Sequence, residues 1–78
     1  MLEKNLMLDT IDKVRKFVDI AAAKPYDIEL VSGKYIVNGK SIIGIFSLDL
    51  TKPVKMVAHC EMVAELMKQI QPFLTDKQ

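Results

Sequence analysis

The stretch Val37-Asn38-Gly39-Lys40-Ser41-Ile42-Ile43-Gly44-Ile45-Phe46-Ser47-Leu48 constrains the fold more than any other part of the chain. It lies mid-chain, lacks proline and places a serine directly before a short apolar run. A serine hydroxyl there can accept a hydrogen bond from a free amide of a first helical turn. Read as a helix, Ile42 and Phe46 share one face, and Ile45 and Leu48 share another. A short helix with two apolar faces cannot bury both in a small domain. One face is expected on the core and the other, with Ile42, Ile43 and Phe46, on a partner. Gly44 costs about 1 kcal/mol of helix stability against alanine. Close approach of a partner or of a neighbouring helix is the expected reason for a small residue there.

A chain of 78 residues forms one domain, here spanning residues 1–78. A domain of this size buries only about 60% of its unfolded surface, so its core is modest. Half the residues are apolar and no long polar tract occurs, which argues against disorder. The formal net charge of +1 gives no support to a nucleic-acid or acidic-membrane partner. No apolar run approaches the ~20 residues of a membrane span. Met1-Leu2-Glu3-Lys4 is followed by too short an apolar run for a signal peptide. The single cysteine fits a reducing, cytoplasmic setting.

Along the chain, Leu2 to Met7 reads as a first or edge strand. Asp9 and Thr10 can both cap a helix. Ile11, Val14, Phe17 or Val18, and Ala21 follow at helical spacing, and Pro25 limits that helix. Asp27 to Val31 alternates as a strand, Ser32-Gly33 reads as a two-residue turn, and Lys34 to Val37 returns. Asn38-Gly39 is a second turn signal. Alone it predicts another hairpin running into Ser41 to Phe46, since Ile-Ile-Gly-Ile-Phe suits a strand as well as a helix. Thr51-Lys52-Pro53 reads as a loop, and Val54 to Ala58 as a strand with Val54, Met56 and Ala58 on one face. Glu61 to Ile70 reads as a helix with Met62 or Val63, Leu66, Met67 and Ile70 as its stripe, ended by Pro72. The tail 75–78 is expected to fray. The order β-α-β-β-α-β-α implies an α+β two-layer domain, with helices on one face of an antiparallel sheet.

The segment from Val37 to Leu48 resembles the regulatory-serine segment of HPr, the histidine-containing phosphocarrier of the bacterial sugar phosphotransferase system, in its Gram-positive form. Lys-Ser, the glycine and Ser-Leu fall at that family's spacing. The resemblance runs through nearly the whole chain and is most continuous from Ala23 to Pro53. It implies an open-faced sandwich of four antiparallel strands with three helices on one face, and it makes the Ser41 segment a helix. It also implies that Ser41 matches the serine phosphorylated by a dedicated kinase. The first and second helices together then form the partner surface. The partners implied are phosphotransferase-system enzymes, an HPr-type serine kinase or a transcription regulator.

In HPr a histidine at the start of the first helix carries the phosphoryl group, and an arginine two residues later helps to hold it. The imidazole nitrogen is nucleophilic near neutral pH, and free amides of the helix N-terminus favour the phosphate. Counting back without gaps from Tyr26-Asp27-Ile28, which matches the family's second strand, puts Thr10 at the histidine position and Asp12 at the arginine position. A threonine hydroxyl is not ionised at neutral pH. Asp12 replaces a phosphate-binding cation with an anion, and a unit charge ~4 Å away is worth ~4 kcal/mol at an effective dielectric of ~20. The preceding loop also looks shorter than the family's. The bland role of Asp9 and Thr10 is capping. The sharper one is an aspartyl phosphate on Asp9.

His59 and Cys60 are adjacent, and adjacent strand side chains point apart, so they make a poor metal motif. A surface or capping histidine and a buried cysteine are expected. No catalytic triad, carboxylate pair, P-loop, zinc site or cofactor motif is read from the sequence. Lys13, Arg15 and Lys16 give the first helix a basic face, either simply solvated or a docking rim with Lys13 and Lys16 beside the Ile42/Phe46 patch. The expectation is a non-enzymatic HPr-like domain that cannot carry a histidine phosphate and works as a protein-binding or regulatory module. The alternatives are a phosphocarrier using another acceptor and a structural domain with an unrelated binding role.

Overall fold

The computed structural model describes residues 1–75. Among them the chain forms β1 (Leu2–Leu6), α1 (Ile11–Ala22), β2 (Ile28–Ser32), β3 (Tyr35–Asn38), α2 (Ile42–Phe46), β4 (Val54–Ala58) and α3 (Ala64–Gln69), then a 3₁₀ turn at Gln71–Phe73. The four strands make one antiparallel sheet in the order β1-β4-β2-β3. The result is the expected α+β open-faced sandwich, with the three helices on one face. Because β4 lies antiparallel to both β1 and β2, those two strands are parallel and separated by β4. Two split βαβ units therefore interleave, β1-α1-β2 and β3-α2-β4.

The core follows from two periodicities. Ile28 and Leu30 of β2, Val54, Met56 and Ala58 of β4, and Leu2 and Leu6 of β1 alternate onto the helix face and are buried. Val14, Phe17 and Ala21 recur at helical spacing on α1 and meet them. Phe17 is fully buried and packs edge-to-face against Phe73, with ring centroids 6.2 Å apart. Ile45 from α2, Leu48 just after it, and Leu66 and Ile70 around α3 close the cluster.

Several boundaries differ from those read in the sequence. The hairpin turn is Gly33-Lys34 rather than Ser32-Gly33, since Ser32 pairs with Tyr35. Gly33 has φ +59°, and among the described residues no non-glycine residue has positive φ, which is the type II′ pattern. The turn settles where glycine can supply that angle. Strand β1 stops at Leu6 because the Met7 amide leaves the sheet register to donate to the Phe73 carbonyl at 2.8 Å. Ile11 is 63% exposed and not part of the α1 stripe, since it overhangs the core in the first turn. Helix α3 starts at Ala64, not Glu61, with Val63 at its N-cap and no side-chain capping bond. The His59 amide donates to the Asp27 carbonyl, which holds the chain to the sheet past Ala58. Met62 is accordingly 89% exposed, off any buried stripe. Pro72 lies inside the 3₁₀ turn. The tail expected to fray begins anchored, since the Thr75 amide donates to the Asn5 carbonyl at 3.0 Å. Residues 76–78 lie outside the described residues.

Between α1 and α3 sits one buried cation. The Lys24 side chain is buried and its ammonium donates to the largely exposed Glu65 carboxylate. Lys40 in turn donates to the Lys24 carbonyl at 2.8 Å. The Lys24 hydrogen bond, and then its charge, hold the Glu65 carboxyl below its usual pKa. A depressed folded-state pKa stabilises the fold above the ordinary glutamate value of about 4.3, and that contribution is lost as pH falls through the folded-state value. Glu65→Gln is expected to lower the melting temperature at pH 7. At acid pH, where Glu65 is neutral in the wild type too, the difference should vanish. A constant difference across that range would show that the ion pair is not its source.

Candidate functional site

The Ser41 segment is a helix, not the second arm of a hairpin. Three contacts decide between them. The Gly39 amide donates to the Ile28 carbonyl at 2.7 Å, and the Ser41 amide returns to the Asn38 carbonyl at 3.0 Å. The Ser41 hydroxyl oxygen then accepts from the Gly44 amide at 3.1 Å and caps α2. The two apolar faces separate as the spacing implied. Ile45 and Leu48 are buried, while Ile43 is 81% and Phe46 45% exposed. Ile42 is half-buried and packs partly on the core. The small residue at Gly44 has a local cause: a Cβ there would lie 3.2 Å from the Ser41 hydroxyl and 3.5 Å from the Val37 Cβ. Glycine thus relieves a tight approach to the Ser41 cap, while Val37 would lie at ordinary van der Waals distance.

Helix α1 touches α2. Thr10 is the N-cap of α1, with the hydroxyl accepting from the Lys13 amide at 3.1 Å. Asp9 accepts from the Lys13 ammonium at 2.8 Å, and that bond first, with a backbone hydrogen bond next, lowers the Asp9 pKa. Asp12 pairs with Lys16 at 3.0 Å. The face read as basic is therefore charge-balanced: Lys13 and Lys16 each lie one turn after a carboxylate that meets them. Arg15 is exposed and has no ion pair among the described residues. What this end of the helix presents is a capped amide, two neutralised lysines and the exposed Ile11.

His59 and Cys60 sit as the sequence implied, one at the surface and one buried. The His59 Nε2 lies 2.9 Å from the Glu29 carboxylate. Glu29 alternates with the core residues Ile28 and Leu30, so this pair occupies the sheet face that the helices leave open. It is thus on the opposite side from α1 and α2. Burial first and the neighbouring Cys60 second push the phenol pKa of half-buried Tyr26 up. Among the described residues no three His, Cys, Asp or Glu side chains gather as a metal-ligand set. No helix among them is long and apolar enough to cross a membrane. Sequence reasoning missed the exposure of Ile11, the Glu29–His59 pair and the Lys24–Glu65 pair. The i,i+4 spacing of Asp9/Lys13 and Asp12/Lys16 was there to be read; the other two pairings are long-range and left no local signal.

No protein-family model matches the chain, and no curated protein matches it. Among solved structures, the crystal structure of HPr-C-His from Thermoanaerobacter tengcongensis matches with a TM-score of 0.72 at 25% sequence identity. The match covers 90% of this chain and 86% of that one. The chain therefore has the HPr-like fold.

Proposed function

We propose that this is an HPr-like protein that does not carry a histidine phosphate and acts as a cytoplasmic, protein-binding regulatory module of a bacterial sugar phosphotransferase system. The observation that carries this reading is the division of α2, with Ile45 buried beneath and Ile43 and Phe46 left exposed beside a capped Ser41. An amphipathic helix that keeps an aromatic and a branched aliphatic side chain in water is suited to docking. Ile11, Lys13 and Lys16 on α1 extend the surface, with Ile42 at its half-buried margin. The partner classes are phosphotransferase-system enzymes, an HPr-type serine kinase and a transcription regulator. Ser41 is the candidate phosphosite, where a phosphate adds about −1.5 to −2 charge beside the apolar patch. The absence of a histidine at Thr10 and of a cation at Asp12 supports a role without phosphotransfer. The competing reading is a carrier that uses Asp9, whose carboxylate is ionised and at the start of α1.

The test uses purified enzyme I, the serine kinase and a regulator as separate probes against labelled protein. Amide shifts on binding are expected on α1 and α2. Phe46→Ala should weaken binding at least tenfold while the fold is kept. Ser41→Asp should also lose binding, with a melt close to wild type because aspartate caps a helix as serine does. Shifts confined to other elements, or unchanged binding by Phe46→Ala, would remove this surface from the account.

A further inference from the structure

The two edges of the sheet are finished differently. The free side of β1 is closed by the chain's own C-terminal segment. Leu6 bridges Leu74, and the Met7 and Thr75 amides donate to the Phe73 and Asn5 carbonyls. The other edge, β3, is met among the described residues only at its Asn38 end, by the Ser41 amide.

The hydrogen-bond alternation shows which groups β3 leaves free. The Gly39 amide donates to Ile28, so Ile28/Gly39 is a bonded pair. In an antiparallel ladder bonded and non-bonded pairs alternate. Leu30/Val37 and Ser32/Tyr35 are then bonded, and Val31/Ile36 and Glu29/Asn38 are not. The Ile36 N–H and C=O and the Asn38 N–H therefore point away from β2. The Asn38 carbonyl is taken by the Ser41 amide. The strand Tyr35-Ile36-Val37-Asn38 carries no charge and no proline. Tyr35 is 72% and Ile36 63% exposed. Natural edges that avoid pairing carry charges, prolines or bulges, and β3 has none of these within its span.

We propose that β3 pairs with β3 of a second copy of this chain, antiparallel about a twofold axis at Ile36, so that two four-stranded sheets become one. Free main-chain donors and acceptors in a row are matched by an extended strand. A second copy matches them by symmetry, because Ile36 gives one N–H and one C=O to each side of the axis. The same register sets Tyr35 against Val37 of the second copy and Ile36 against its counterpart. Lys34 of the second copy comes opposite Asn38, whose neighbour on β2 is Glu29. The row then ends in a cation beyond a carboxylate at both ends of the junction. Cross-strand pairs such as Tyr35 with Val37 and Ile36 with its counterpart stabilise a ladder.

Sedimentation velocity over a dilution series from micromolar to millimolar tests the proposal. Wild type is expected to move from the 8.8 kDa monomer to a dimer as concentration rises. Amide exchange at Ile36 and Asn38 should slow in step. Ile36→Pro removes the outward N–H without removing a bond to β2, since Ile36 is in a non-bonded pair. It should stay monomeric throughout, with a dilute-solution melt near wild type. Should proline disturb the hairpin, Ile36→Lys decides, because it sets like charges opposite each other at the axis and should weaken the dimer at least tenfold. A wild type that stays monomeric at every concentration overturns the proposal. So does a dimer unaffected by Ile36→Lys, or one whose added amide protection falls on α2 instead of β3.

Discussion

Incubated with enzyme I and phosphoenolpyruvate, the protein is expected to gain no phosphate, where a histidine phosphocarrier gains one per chain. Intact mass before and after acid treatment reads the result. The expectation rests on what occupies the start of α1. The Thr10 hydroxyl is committed to the Lys13 amide as a helix cap. Asp12 puts an anion where the HPr resemblance calls for a phosphate-holding cation, and Lys16 answers that anion rather than an incoming phosphate. His59 lies on the open face of the sheet, held against Glu29. An acid-labile gain mapped to His59 would defeat this reading, and a gain mapped to Asp9 would establish the carrier alternative. The double change Thr10→His with Asp12→Arg restores the residue types that transfer needs. It is expected to recover transfer only in part, because productive geometry depends on the loop before α1 as well as on the residues. Full transfer by the double variant would show that the loop is already suited to the chemistry.

Phe17→Ala is expected to cost about 3–5 kcal/mol, the range for truncating a buried phenylalanine. Phe17 is fully buried and loses its edge-to-face partner Phe73 in the change. A domain of this length has a total stability of roughly 4–12 kcal/mol, at about 0.05–0.15 kcal/mol per residue. The variant should therefore melt tens of degrees lower or fail to fold at 37 °C, at about 4–8 °C per kcal/mol for a chain this size. Phe46→Ala makes the same chemical change on a side chain that is 45% exposed and should cost about 1 kcal/mol. Thermal melts of the two variants side by side separate core from surface. Equal losses would mean that Phe46 is as buried as Phe17 and that the α2 patch does not exist.

The comparison of these phenylalanines shows what the sequence could and could not convey. Periodicity placed Phe17 or Val18 inside with Val14 and Ala21, because a long amphipathic helix repeats its signal, and the packing against Phe73 selects Phe17. Over the five residues of α2 the same logic gave two faces but not the choice of helix over strand. Propensity was silent there. The deciding terms were the Ser41 cap and the turn closed by Gly39 and Asn38. Ile11 followed the helical period yet lies outside the core, since periodicity gives direction around a helix and not how far the core extends along it. The hairpin moved by one residue because Ser32-Gly33 and Gly33-Lys34 are both acceptable turns, and only the pairing with β2 selects one. The capping roles of Asp9 and Thr10 were legible because they are local. The buried Lys24 was not, because Glu65 is far along the chain and a lysine beside a proline reads as solvated loop.

The interleaving of the two βαβ units also sets the order of events as the chain emerges from a ribosome. The strand that completes the sheet is the fourth to be made, yet it lies between the first and the second. Leu2 meets Ala58, and Leu6 meets Val54, only after most of the chain exists. Until then β1 has no neighbour and the β2 side of the β2–β3 hairpin is unsatisfied as well as its β3 edge. A nascent chain ending before Val54 therefore has a helix and a hairpin but no sheet to rest them on. Such long-range closure makes the chain slower to fold than a helical bundle of its size, because distant partners must meet. Sheet closure waits for β4, and the exposed flanks of β1 and β2 are what a holding chaperone would meet in the interval.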